Sequence, residues 1–122
     1  MIRKIRLSIT SWVANLRRPD DTAMKRICFV SQETVFWRRA VYDRIGPLDA
    51  TFRYTMDYEY WQRMIAAGYH FTLLPYFLGM FRLHPQSKGA TLADVRAREL
   101  QTVYRRYLGR NVTERQMYRE LG

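Results

Sequence analysis

Two acidic residues, Asp57 and Glu59, stand at the start of a stretch with helical spacing, and a histidine, His84, follows in a polar loop. A carboxylate held at a helix start can serve as general base towards a hydroxyl group, and an imidazole can ligate a divalent metal. Each also has a plainer use. Asp57 suits the positive end of the helix dipole. Glu59 and Arg63, four residues apart, suit an ion pair on a helix surface, and His84-Pro85 suits a turn. Two histidines and one cysteine are too few for a zinc site of three or four such ligands. The chain also has no glycine-rich phosphate loop of the Walker or dinucleotide kind.

The elements that must hold these residues follow from periodicity. A helix is expected from near Met56 to Gly68, where Asp57, Trp61, Met64 and Gly68 recur at helical intervals; that spacing places Asp57 on the face of the buried stripe, with Gly68 as the left-handed closing residue. Ahead of it, Phe36 to Arg39 leads into a short helix that stops at Gly46-Pro47, and Ile27 to Val30 has strand composition. Residues 70 to 74 and 76 to 83 are expected as two extended segments parted by Pro75. Thr91 and Asp94 approximate a capping box for a helix ending before Gly109, and a last short helix is expected after Thr113.

Residues 2 to 16 carry Ile2, Ile5, Ile9, Trp12, Val13 and Leu16 at helical spacing among basic residues, which predicts a basic amphipathic helix, closed by a linker at Pro19-Asp20-Asp21. Such a helix would lie on an anionic membrane surface or pack its apolar face on a core. The expected organisation is thus residues 1–25 as helix and linker, 26–90 as an α/β core, and 91–122 as C-terminal helices.

At 122 residues, with 48% hydrophobic and 15% aromatic content, the chain suits one packed domain. Its net charge is +10, and only Lys4, Lys25 and Lys88 among the 21 cationic residues are lysines. Arginine favours phosphate and carboxylate, so the charge admits nucleic acid, anionic lipid or a nucleotide diphosphate as partner, or a merely solvated basic surface. Cys28, in an apolar run, has no second cysteine to pair with and is expected as a buried thiol. No stretch approaches the roughly 20 apolar residues of a membrane span. Polar residues Ser8, Thr10, Ser11 and Asn15 break up the N-terminal run, so no signal peptide is expected.

Four ordered blocks are more specific: Gln32 to Arg39, Ile45-Gly46-Pro47-Leu48-Asp49, Met56-Asp57-Tyr58-Glu59-Tyr60-Trp61-Gln62-Arg63 followed by Gly68, and Phe81-Arg82-Leu83-His84-Pro85-Gln86-Ser87-Lys88. Their succession, over about residues 27 to 90, resembles the C-terminal, acceptor-side half of family 2 glycosyltransferases with the GT-A fold. The resemblance implies a partial Rossmann-like α/β domain, a short mixed sheet with flanking helices. It also implies Asp57 as the catalytic base of an inverting transfer, Gly46 as the glycine of a loop near donor and acceptor, and His84 as a ligand of the divalent metal, Mn or Mg, on the donor diphosphate. Pro47 departs from the second glycine usual in that loop and stiffens it. Trp37, Tyr54, Tyr58 and Trp61 would offer faces to a sugar ring or fill the core.

The implied partners are a nucleotide-sugar donor and a saccharide or lipid-linked acceptor, in a cytoplasmic enzyme at the inner face of a membrane. The Asp-x-Asp signature that holds metal and donor in such enzymes does not occur in these 122 residues. The expectation is therefore a fragment, inactive alone, from a longer protein, a truncated frame or a remnant gene. A basic module that binds nucleic acid or a membrane surface without catalysis is the alternative.

Overall fold

The computed structural model describes residues 4–10, 24, 30, 32–79, 84–86, 92–111, 113 and 115–116 of the chain. The elements bounded within them run β1 (Lys4–Thr10), a 3-10 turn (Gln32–Thr34), β2 (Val35–Phe36), α1 (Arg39–Ile45), α2 (Met56–Ala66), β3 (His70–Gly79) and α3 (Ala93–Leu108). The expectations for Cys28, for residues 27–29, 80–83 and 87–90, and for the linker at Pro19 lie outside the described residues.

The strands form one mixed sheet in the order β2-β1-β3. β1 pairs antiparallel with β2, Leu7 facing Val35, and parallel with β3, Lys4 facing His70 through to Ser8 facing Leu74. Over residues 4–10 the expected amphipathic helix is therefore corrected to a strand. Lys4, Arg6, Ser8 and Thr10 alternate with Ile5, Leu7 and Ile9, the two-residue period of a strand, and this short-range pattern prevails over the helical spacing that appears when residues 2 to 16 are taken together.

β3 likewise corrects an expectation. Its two halves form one strand, and the interruption at Pro75 survives as a bulge: Ser8 faces Leu74 but Ile9 faces Phe77, leaving Pro75 and Tyr76 outside the register. Proline has no N–H for the ladder, so a bulge accommodates it without ending the strand.

α2 lies at the centre of the molecule. Five consecutive residues, Tyr58 to Gln62, are buried together with Met64, so the helix is covered almost all round rather than on one stripe. Trp61 is the hub, meeting Trp37, Tyr60 and Phe71 with ring centroids 5.6–6.2 Å apart in edge-on or tilted geometry. On the other side Tyr58 meets Tyr104 of α3 edge-on at 6.1 Å. Met24, β3 residue Phe71 and α3 residues Leu100, Val103 and Tyr104 belong to the same core, so all three expected segments contribute to one body.

The helix ends follow the glycines. Gly68 (φ 84°) closes α2 with a paired cap: the Gly68 N–H donates to the Ile65 carbonyl at 2.9 Å and the Tyr69 N–H to the Met64 carbonyl at 3.0 Å. Gly109 (φ 62°) ends α3. At the start of α3 the cap residue is Leu92 with no side-chain cap, and the expectation for Thr91 lies outside the described residues. Further on, Thr113 and Gln116 exchange reciprocal bonds at 2.7 and 3.3 Å, a capping box at the helical residues 115–116; the rest of the expected last helix lies outside the described residues.

Candidate functional site

Asp57 sits in the first turn of α2, half-buried, its Oδ1 accepting the N–H of Tyr58 at 2.7 Å. That N–H is among those a helix start leaves without an internal partner, so the carboxylate is oriented by the helix itself. The spacing placed Asp57 on the buried stripe; the acid that is fully buried is instead Glu59. Five buried residues in succession leave no single stripe for the periodicity to mark.

Glu59 and Arg63 do form the i,i+4 ion pair, but inside the molecule rather than on a helix surface. Arg63 Nη2 lies 2.9 Å from Glu59 Oε2, with side chains 24% and 2% exposed, and Arg63 Nε lies 3.0 Å from Glu59 Oε1. From α3, the Tyr107 hydroxyl donates to Glu59 Oε1 at 2.7 Å and Arg106 Nη1 stands 3.8 Å away. Burial, with the bond to Glu59 added, pushes the Tyr107 hydroxyl up to about 12. Arg63 Nη1 reaches outward from the pair and donates to the carbonyls of Ile45 at 3.2 Å and Pro47 at 2.9 Å. All these donors and acceptors are engaged within the protein, so the pair acts as a brace.

What it braces is the loop at Gly46. The Tyr60 hydroxyl donates to the Gly46 carbonyl at 2.8 Å, so three bonds pin Ile45, Gly46 and Pro47 along α2. They fall about one and two turns beyond Asp57 on the same helix. Gly46 has φ 84° and ψ −175°, a conformation essentially restricted to glycine, while a Cβ there would meet nothing within 4 Å. Its requirement is conformational, not steric.

The segment between this loop and α2 is held by a residue that sequence reasoning missed. The Glu99 carboxylate on α3 accepts the N–H groups of Arg53, Tyr54 and Thr55, the last two at 2.8 Å, and the Thr55 hydroxyl at 3.2 Å. Burial works against its charge, but the bonds from Arg53, Thr55 and Tyr54 prevail and hold its carboxyl below the usual range. Asp49, at the turn, accepts the Thr51 hydroxyl at 2.6 Å and N–H at 3.0 Å, which holds its carboxyl low. Nothing local in the sequence marks Glu99, whose partners lie 44 to 46 residues earlier.

His84 is exposed in the turn His84–Gln86. Among the described residues no three His, Cys, Asp or Glu side chains gather, and one imidazole does not make a metal site. The described residues thus do not fit a divalent metal by themselves, and no chemical step is derived through one. No helix among them is long and apolar enough to cross a membrane.

At the start of α1, Trp37, Arg39 and Tyr42 line an open cavity of about 440 Å³. Trp37 is set edge-on against Tyr60 at 5.8 Å and Trp61 at 5.6 Å, so the core fixes its ring. Arg39 lies 5.5 Å from the centre of the Tyr42 ring, and its Nε donates to Asp43 Oδ1 at 2.9 Å. Trp37 was foreseen as a possible sugar face; Arg39 and Tyr42 were not, although their spacing on a short helix is readable. No protein-family model, curated protein or solved structure matches this chain at a significant level.

Proposed function

We propose that this chain is the acceptor-side part of a family 2-like inverting glycosyltransferase, with a partial GT-A domain and with Asp57 as the catalytic base. The observation that carries the reading is the order of the four sequence blocks, of which the described residues fall on the 3-10 turn, β2 and the start of α1, the Gly46 turn, α2, and the turn His84–Gln86. In the proposed reaction a nucleotide-sugar donor is attacked by a hydroxyl of a saccharide or lipid-linked acceptor. Asp57 removes the hydroxyl proton as its oxygen bonds to the anomeric carbon, and the nucleoside diphosphate departs from the opposite face. The bond between Asp57 and the Tyr58 N–H fixes one carboxylate oxygen before the acceptor arrives.

A complete enzyme of this kind would need a donor half to bind the nucleotide sugar and stabilise the leaving diphosphate, and with it His84 would join a metal set. A cytoplasmic setting, at the membrane surface when the acceptor is lipid-linked, belongs to the same proposal. A second reading, non-catalytic binding of an anionic partner, is favoured by the +10 charge and by the exposed Arg98 and Arg105 on one side of α3.

The test uses a protein that carries these residues together with a donor half. There, Asp57→Asn lowers kcat by about 10²- to 10⁴-fold with little change in donor affinity, since the amide keeps the shape but cannot take the proton. Near-normal turnover in a variant with an unchanged circular dichroism spectrum would make Asp57 a helix-start residue and defeat the mechanism.

A further inference from the structure

We infer that the cavity at Trp37, Arg39 and Tyr42 is a binding site for a neutral saccharide; calling that saccharide the acceptor glycan rests on the glycosyltransferase reading. Two of the three lining residues, Trp37 and Tyr42, are aromatic, and Tyr42 is 36% exposed. Single exposed aromatic residues are ordinary, but two that line one hollow are not. A pyranose presents a flat array of C–H bonds on one face, which complements the electron-rich face of an aromatic ring. Trp37 is fixed by Tyr60 and Trp61, so stacking on it orders no further side chain.

The polar groups beside the rings select against an anion. Arg39 and Asp43 carry opposite charges 2.9 Å apart, both largely in water, with side chains 81% and 57% exposed. Together they are neutral and offer donors and an acceptor side by side, which matches the vicinal hydroxyls of a sugar rather than a phosphate. Among the described residues Arg39 uses only its Nε as a donor, so its terminal nitrogens are available to a ligand. The carboxylate of Asp43 would repel phosphate from the same place.

The test is an NMR titration of the ¹⁵N-labelled 122-residue chain with cellohexaose, chitohexaose and mannohexaose, and separately with inorganic phosphate, without donor or metal. The expected result is that at least one hexasaccharide, in the millimolar range, shifts the Trp37 indole N–H and the Arg39 Nε–H. Tyr42→Ala then weakens binding about fivefold or more, the loss of one stacking face, while Tyr76→Ala, at the exposed bulge of β3, leaves it unchanged. Both substitutions are at exposed positions, so folding is retained. Absence of shifts with all three sugars, equal shifts with phosphate, or equal weakening by Tyr76→Ala overturns the site. No transfer is read in this titration, so its failure removes the saccharide site alone, whereas full turnover by the Asp57→Asn enzyme removes the catalytic reading alone.

Discussion

Arg39–Asp43 on α1 and Glu59–Arg63 on α2 are the same device in sequence, an arginine and an acid four residues apart on a helix, and both close to 2.9 Å. Their surroundings make them different objects. The first stands in water, where Coulomb attraction is screened and two long side chains must be ordered to hold it. The second is enclosed by α3 and the Gly46 loop, where the Glu59 carboxylate has almost no water to fall back on and each oxygen and nitrogen of the pair has an internal partner. Spacing sets which residues meet; burial sets whether the meeting is structural or remains open to a ligand.

Removing one partner from each pair tests this contrast most strongly at the buried end. Arg63→Ala leaves a buried carboxylate and releases the carbonyls of Ile45 and Pro47, and is expected to destabilise by about 3 kcal/mol, the lower part of the range for a broken buried pair because Arg106 remains near Glu59. Chemical denaturation reads it directly. A loss below about 1 kcal/mol would mean that the brace is no stronger than a surface pair.

Glu99 extends the comparison to a charge that is half-enclosed and held by backbone. Glu99→Gln should cost about 1.5–3 kcal/mol, the range for hydrogen bonds to a charged group. The sign with pH is fixed by the lowered carboxyl: its contribution is fully present above the ordinary value of 4.5 and is lost as pH falls below it through the folded-state value. Denaturation midpoints of the native protein should therefore fall with acid more steeply than those of Glu99→Gln. Parallel profiles would assign the acid sensitivity elsewhere.

At Gly46 the same loop can be perturbed without touching a charge. Gly46→Ala meets no steric neighbour, so its expected cost of about 1–3 kcal/mol comes from the backbone conformation alone. Thermal melts showing no change would place the loop in a conformation open to any residue. The smallest effect is expected at the exposed pair, where Arg39→Ala should change stability by no more than about 0.5 kcal/mol. If that change weakens saccharide binding while stability stays put, the pair serves a ligand rather than the fold.

Much of the helical frame was legible in the sequence because its signals are local. Gly46, Gly68 and Gly109 mark the ends of α1, α2 and α3, and the start of α2 near Met56 follows from its apolar spacing. Two opposing periods overlap in the N-terminal segment, and β1 is decided by partners at Val35 and His70 that no local pattern names. In the candidate site, Asp57 and Gly46 were readable as types, as was the Glu59–Arg63 spacing. The burial of that pair, its junction with Tyr107 and the clasp of Glu99 on Arg53 to Thr55 depend on α3 folding back across more than forty residues.

The central place of β1 also constrains the order of events during synthesis. Lys4–Thr10 is made well before its parallel neighbour, which begins at His70. At a synthesis rate of about 5–20 residues per second, β1 waits on the order of 3–13 s before that neighbour exists. The helices α1 and α2, whose contacts are short in sequence, can associate in the meantime, whereas the sheet closes only after a long loop has been drawn together. Until then the chain carries a β-prone segment, apolar on one face only, without its parallel mate.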